Sequence, residues 1–168
     1  MISIETDRLH IRELTLGDAA FILELLNEPA FIQFIGDKGV RDVPGAEKYL
    51  REGPLASYAR HGFGLWAVTL KDGTPVGMCG LLQRDFLPHP DLGYALLARF
   101  NGLGYAREAA AAVLHHARET LRITTIHALT AFRNPASVRL LGKLGFDFTE
   151  FIEQPGYTEP TRLFTSVR

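Results

Sequence analysis

The sequence predicts an α/β (α+β) fold: a mixed, mostly antiparallel seven-stranded sheet flanked by about four helices. Three observations predict it. Short apolar runs alternate with polar residues, while longer stretches repeat apolar residues every three or four positions. Asp72-Gly73 separates two apolar runs, a strong hairpin signal. The elements follow the order β-α-α-β-β-β-α-β-α-β-β, so a hairpin meander feeds a strand–helix–strand unit.

Taken in order, Leu9, Ile11 and Leu14 mark the first strand. Thr15 caps a helix, with Asp18 completing the box, and Ala19, Ile22, Leu23, Leu25 and Leu26 form its apolar stripe. Pro29 marks its end. A second helix follows Pro44 through Tyr49, Leu50 and Leu55, with a break at Gly53-Pro54. Leu65–Leu70 and Val76–Leu82 pair around Asp72-Gly73, and Leu92–Leu97 is the next strand. A long helix spans about Gly104 to Leu121, with Ala109, Ala112, Val113, His116, Ala117 and Leu121 on one face. Thr125–Thr130 is a short strand. Asn134 caps another helix and Pro135 suits its first turn; Gly145 ends it. Asp147–Ile152 and Thr161–Val167 are the last strands.

The 168 residues, 46% hydrophobic and 22% charged, suit one domain over 1–168. A single cysteine, Cys79, precludes an internal disulfide and sits in an apolar run as a small buried hydrophobe. The net charge of -1 argues against nucleic acid as a partner. No apolar stretch reaches the ~18 residues of a membrane span. The N-terminus lacks the basic start and apolar core of a signal peptide, so a cytoplasmic location is expected.

The chemically informative segment runs from Asp91 to Ala109: a strand, a glycine-bearing turn, then an alanine-rich helix. Main-chain N–H groups at such a helix start lack internal partners and, with the helix dipole, make an anion site. Gly102 and Gly104 let a phosphate approach the main chain, and Arg107 adds charge. A plain tight turn would also account for Gly-x-Gly. A P-loop is excluded by the missing Gly-Lys-Ser/Thr, and a dinucleotide fingerprint by Arg107 at its third glycine position.

The turn Asn101-Gly102-Leu103-Gly104-Tyr105-Ala106 resembles motif A of the GNAT acetyltransferase superfamily, Gln/Arg-x-x-Gly-x-Gly/Ala, with Asn101 in place of Gln/Arg. Asn134-Pro135-Ala136-Ser137, Leu140-Leu141 and Lys143-Leu144-Gly145-Phe146 resemble the next family motif. Glu5 to Arg12, Asp18, Gly93-Tyr94 and Gly104 to Ala109 are similar to the RimJ/RimL-like branch. The likeness spans about residues 5 to 152.

The resemblance implies a single N-acetyltransferase domain with two splayed central parallel strands. It implies acetyl-CoA as co-substrate, with its pyrophosphate on Asn101, Gly102, Leu103, Gly104, Tyr105, Ala106 and Arg107. The main chain of Leu96 and Leu97 would meet the acetyl and pantetheine end, with Asn134 and Ser137 close by. No metal is expected: His115 and His116 are adjacent, face differently, and stand without a Cys/His cluster. Asp91 is the candidate base, with His89 a second, and Ser137 the candidate partner of the CoA thiol. The family's usual acid tyrosine is replaced by Leu141. The expected reaction is direct attack by a primary amine, of a protein N-terminus or a small molecule. The alternative is a CoA-binding module of the same fold without catalysis. Phe34, Trp66, Tyr94 and Tyr157 are candidate acceptor contacts, with Phe31 and Glu159 beside them. A homodimer is allowed by this reading, and neither nucleic acid nor membrane is an expected partner.

Overall fold

The computed structural model describes all 168 residues. Its strands and helices alternate as β1 (Ser3–Glu5), β2 (Leu9–Glu13), α1 (Ala19–Leu26), α2 (Pro29–Phe34), α3 (Val43–Leu50), α4 (Ala56–His61), β3 (Leu65–Leu70), β4 (Pro75–Leu82), β5 (Asp91–Leu96), α5 (Tyr105–Glu119), β6 (Thr125–Thr130), α6 (Pro135–Lys143), β7 (Asp147–Ile152) and β8 (Thr161–Val167). One eight-stranded sheet has the order β1-β2-β3-β4-β5-β6-β8-β7. Every neighbouring pair is antiparallel except β5 and β6.

The sheet therefore has eight strands rather than the expected seven, and six α-helices rather than about four. The extra strand, β1, has only three residues, too few to show a period. Two helices are additional: α4 (Ala56–His61), and α2, which begins at Pro29. Proline ends α1 and also starts α2, because a first-turn residue needs no N–H partner. At Gly53-Pro54 the chain does not break. It passes through a π-helical segment, Arg51–Leu55, and continues as α4. The wider turn accommodates a proline without N–H.

Alternation along the central strands builds a core on each face. Trp66 and Val68 of β3 join Ile11, Leu81, Val113, Ile126 and Phe146 beneath α5 and α6. Leu65 and Ala67 of the same strand join Ile22, Leu25, Leu50 and Met78 beneath α1 and α3. Trp66, Ile22, Leu25 and Leu50 are wholly buried. Each large buried apolar side chain stabilises the fold by about 1.5–3 kcal/mol. Thr15 Oγ1 accepts the Gly17 N–H at 3.2 Å, and the Asp18 carboxylate accepts the Thr15 N–H at 2.8 Å. Arg12 fixes that carboxylate with two hydrogen bonds of 2.8 and 2.9 Å, tying α1 to β2.

Candidate active site

The parallel strands β5 and β6 pair only at Asp91 with His127 and Leu92 with Ala128. Beyond Leu92 they splay. Leu97 N–H reaches the Val76 carbonyl at 2.9 Å, which makes Leu96 and Gly77 a non-hydrogen-bonded pair. By the antiparallel alternation, the N–H and C=O of Leu96 and of Tyr94 then point away from β4, into the gap. The gap opens into a cleft of about 550 Å³ between the sheet, α5, α6 and the loops around α2 and β8. Its strand edge therefore offers main-chain groups to an extended ligand.

One end of the cleft meets the turn before α5. Gly102 and Gly104 hold φ of 77° and 84°. That left-handed region is costly for any residue with a Cβ. Glu108 N–H is the first in the helix with a main-chain acceptor, Gly104 O at 3.1 Å. No main-chain carbonyl serves the N–H groups of 102 to 107, and no side chain caps the helix. The open donors and the helix dipole make an anion cradle. The N-terminal segment braces it. Arg8 donates to the Leu103 carbonyl at 2.8 Å and to Glu108 at 2.7 Å, and its guanidinium lies 4.5 Å from the Tyr105 ring centroid. Thr6 Oγ1 donates to Glu108 at 2.7 Å.

The middle of the cleft holds polar chemistry. Tyr94 Oη and Ser137 Oγ are 2.5 Å apart, joining β5 to α6. Burial pushes the Tyr94 phenol up to about 12, so it stays protonated. Asp91 is 1% exposed, and Arg84 Nε lies 3.0 and 3.1 Å from its two oxygens. Burial raises the Asp91 carboxyl above the ordinary carboxylate range, against the opposing pull of Arg84. The sole thiol, Cys79, is fully buried on β4 and pushed up to about 12 by desolvation, so it offers no nucleophile.

The structure brings together Asp91, Leu96, Tyr94, Asn101, Gly102, Ala106, Asn134, Ser137, Phe34 and Tyr157 around this cleft. Phe31 lines it as well. Asn134 also caps α6, accepting the Ser137 N–H at 3.3 Å. Other expectations need correcting. Leu97 is wholly buried, and its N–H and C=O are taken by Val76 and Phe100, so it presents nothing to a ligand. Trp66 is wholly buried under α5, edge-on to His116, and does not reach the cleft. The His89 ring lies 5.5 Å from that of His127, tilted by 50°, outside the cleft. Glu159 pairs with Arg133. Leu103 and Tyr105 offer only main-chain N–H groups to the cradle, their side chains lying outside the cleft, and the Arg107 side chain, expected to add charge, lines a neighbouring groove between α5 and α6 instead. Leu141 fills the core at 1% exposure.

Sequence reasoning missed Arg84, Lys38 and Arg8. Arg84 and Lys38 sit in loops without periodicity, and Arg8 acts through contacts nearly a hundred positions away. Only the run of acidic and basic residues from Glu5 to Arg8 hinted at paired charge there.

Four likenesses bear on identity. The family model described as an acetyltransferase (GNAT) domain matches residues 8–147. The uncharacterized N-acetyltransferase YoaA of Bacillus subtilis (strain 168) is 25% identical over 169 residues, covering 98% of this chain and 93% of that protein. Among solved structures, RimL, a ribosomal L7/L12 alpha-N-protein acetyltransferase in complex with coenzyme A, matches with a TM-score of 0.86 at 15% identity, over 99% of this chain and 98% of that one. Spermidine N-acetyltransferase from Vibrio cholerae, in complex with CoA and spermine, matches with a TM-score of 0.80 at 17% identity, over 96% of each chain. These two structures share the fold with this chain at identities too low to carry an acceptor across. The family model spans most of the chain and falls on the splayed strands and the braced turn, so the protein belongs to the GNAT family and is an acyl-CoA-dependent acetyltransferase.

Proposed function

We propose that the whole chain works as one catalytic domain that moves an acetyl group from acetyl-CoA to a primary amine by direct attack. The observation that carries the reading is the run of unserved N–H groups from 102 to 107, opening onto the gap between β5 and β6. That cradle suits a diphosphate, and the free edge of Tyr94 and Leu96 suits the amide-bearing pantetheine arm. RimL and the Vibrio cholerae enzyme hold CoA in the same fold.

In this reading Leu96 N–H stabilises the carbonyl oxygen as negative charge builds on it. Asp91 lies five residues along β5 from Leu96, about 16 Å at strand spacing, and accepts the proton of the attacking amine through a chain of waters. Its raised pKa makes it a stronger base than an exposed carboxylate. Ser137, held by Tyr94, donates to the departing thiolate. A thiol of pKa ~8.5 leaves readily, so this help is modest. It also takes the place of the tyrosine that Leu141 replaces. A buried, protonated Cys79 rules out a cysteine acyl-enzyme route.

The acceptor is a small amine or a protein N-terminus, as the activities of RimL and the spermidine enzyme illustrate. No helix is long and apolar enough to cross a membrane, in keeping with a cytoplasmic location. The test is thiol release from acetyl-CoA over N-terminal peptides, amino acids and polyamines. Release with at least one class is expected. Tight CoA binding without release on any amine would leave a binding module and end the catalytic reading.

A further inference from the structure

The acceptor end of the cleft carries an unusual balance of charge. Lys38 and Arg84 line it, and Asp91 is the sole carboxylate there. Arg84 already holds both oxygens of Asp91. Lys38 enters no ion pair: the neighbouring acid, Asp37, is taken by Arg41 at 2.6 Å, and Glu159 by Arg133 at 3.0 Å. Lys38, Arg84 and Tyr157 line the same cleft, and the Arg84 charge lowers the pKa of both other groups. Tyr157 is anchored there, donating to the Ile35 carbonyl. Two cations face one carboxylate, and the cleft keeps one positive charge in excess. When Asp91 takes up a proton, the excess doubles.

Lys38 is exposed at the mouth of the cleft, and an unpaired ammonium that shares a cleft with a guanidinium meets repulsion there. Desolvation and then Arg84 both push Lys38 below the ordinary lysine range. A bound anion relieves both effects. A polycation meets them as repulsion.

We propose that Lys38 and Arg84 form a subsite for a carboxylate on the acceptor, so that this enzyme acetylates amines bearing an acid group and discriminates against polyamines. The proposal rests on the acetyltransferase reading above and adds the acceptor class. The carboxylate is either the α-carboxylate of a free amino acid or an acidic side chain beside a peptide N-terminus; the chemistry at Lys38 is the same.

The test compares kcat/KM for matched acceptors at saturating acetyl-CoA. One arm sets free amino acids against their amides. A second sets amidated N-terminal peptides with Asp or Glu at the second position against those with Asn or Gln. Spermidine is the third. A charge-assisted hydrogen bond is worth about ten- to a hundredfold, so acids are expected to exceed their neutral partners by at least about tenfold in one of the first two arms. Which arm shows it identifies the source. Lys38→Met is expected to collapse that ratio toward unity, and Lys38→Arg to retain most of it. Lys38 lies outside every helix and strand, and a thermal shift on adding acetyl-CoA verifies that each variant is folded. Neutral amides matching their acids, spermidine as the best acceptor, or an unaltered ratio in Lys38→Met would each overturn the subsite while leaving the transferase intact. Absence of turnover with every amine overturns both readings.

Discussion

At the scale of single residues, Asp91 is where burial and charge compete most directly. Desolvation raises its pKa, Arg84 lowers it, and the balance stays above the ordinary 3.8. A base works in its ionised form. Activity is therefore expected to fall as pH drops through this raised value, giving kcat/KM an acid limb at higher pH than an exposed carboxylate would. Asp91→Asn should lose about 10²- to 10⁴-fold in kcat and flatten that limb. An unchanged rate and pH profile would remove Asp91 from the chemistry. Ser137→Ala should cost less than Asp91→Asn, because the thiol leaves readily without help. That Asp91 and Ser137 line the cleft was legible in the sequence, because each sits a fixed distance from a recognisable motif. Their partners, Arg84 and Tyr94, were not legible as partners. Arg84 comes from an aperiodic loop, and nothing local reveals that Tyr94 faces Ser137 across 43 positions.

At the scale of elements, the turn between β5 and α5 and the helix α6 make separate predictions. Gly104 has φ of 84°, and a Cβ there would stand 3.2 Å from Arg8 Nη2. Gly104→Ala combines left-handed strain, about 1–2 kcal/mol, with a push on the brace that holds the Leu103 carbonyl. Its melting temperature is expected to fall by about 2–8 °C for a chain of this size. Its KM for acetyl-CoA should rise more than its kcat falls, since the turn binds and does not react. Equal losses in kcat and kcat/KM would place the turn in the chemical step instead. In α6, Leu141 occupies the position at which the family resemblance implies an acid tyrosine, but it is packed at 1% exposure. Leu141→Tyr overfills the core and should cost about 1–3 kcal/mol without raising kcat; an increase in kcat would show that the site can still use a tyrosine there. Long amphipathic elements such as α5 were legible from their period. Short ones such as β1 and α2 were not. Three residues hold no period, and a proline that ends one helix reads the same when it begins the next.

At the scale of the whole molecule, the sheet is joined across its middle by only two parallel register positions, flanked by longer antiparallel ladders on either side. The order of strands along the chain was legible, since hairpin signals and helix caps are local. The insertion of β8 between β6 and β7 was not. It depends on which edges meet after collapse, and no short window records that. The sparse join has a thermodynamic consequence. A ligand that pairs with the free edge of β5 and anchors on the turn before α5 bridges parts that the protein itself links weakly. It binds the folded state alone, so acetyl-CoA at about a hundred times its Kd should add about 2.7 kcal/mol of stability. For a chain of this length that is a rise of about 5–11 °C in melting temperature. Hydrogen exchange sharpens the argument. Protection should increase at Tyr94 and Leu96, whose N–H groups face the gap, and at 102 to 107. Leu97, already bonded to Val76, should change little. A stabilisation of that size with protection gained elsewhere would mean that the cofactor grips a different surface, and the splayed strands would lose their assigned role.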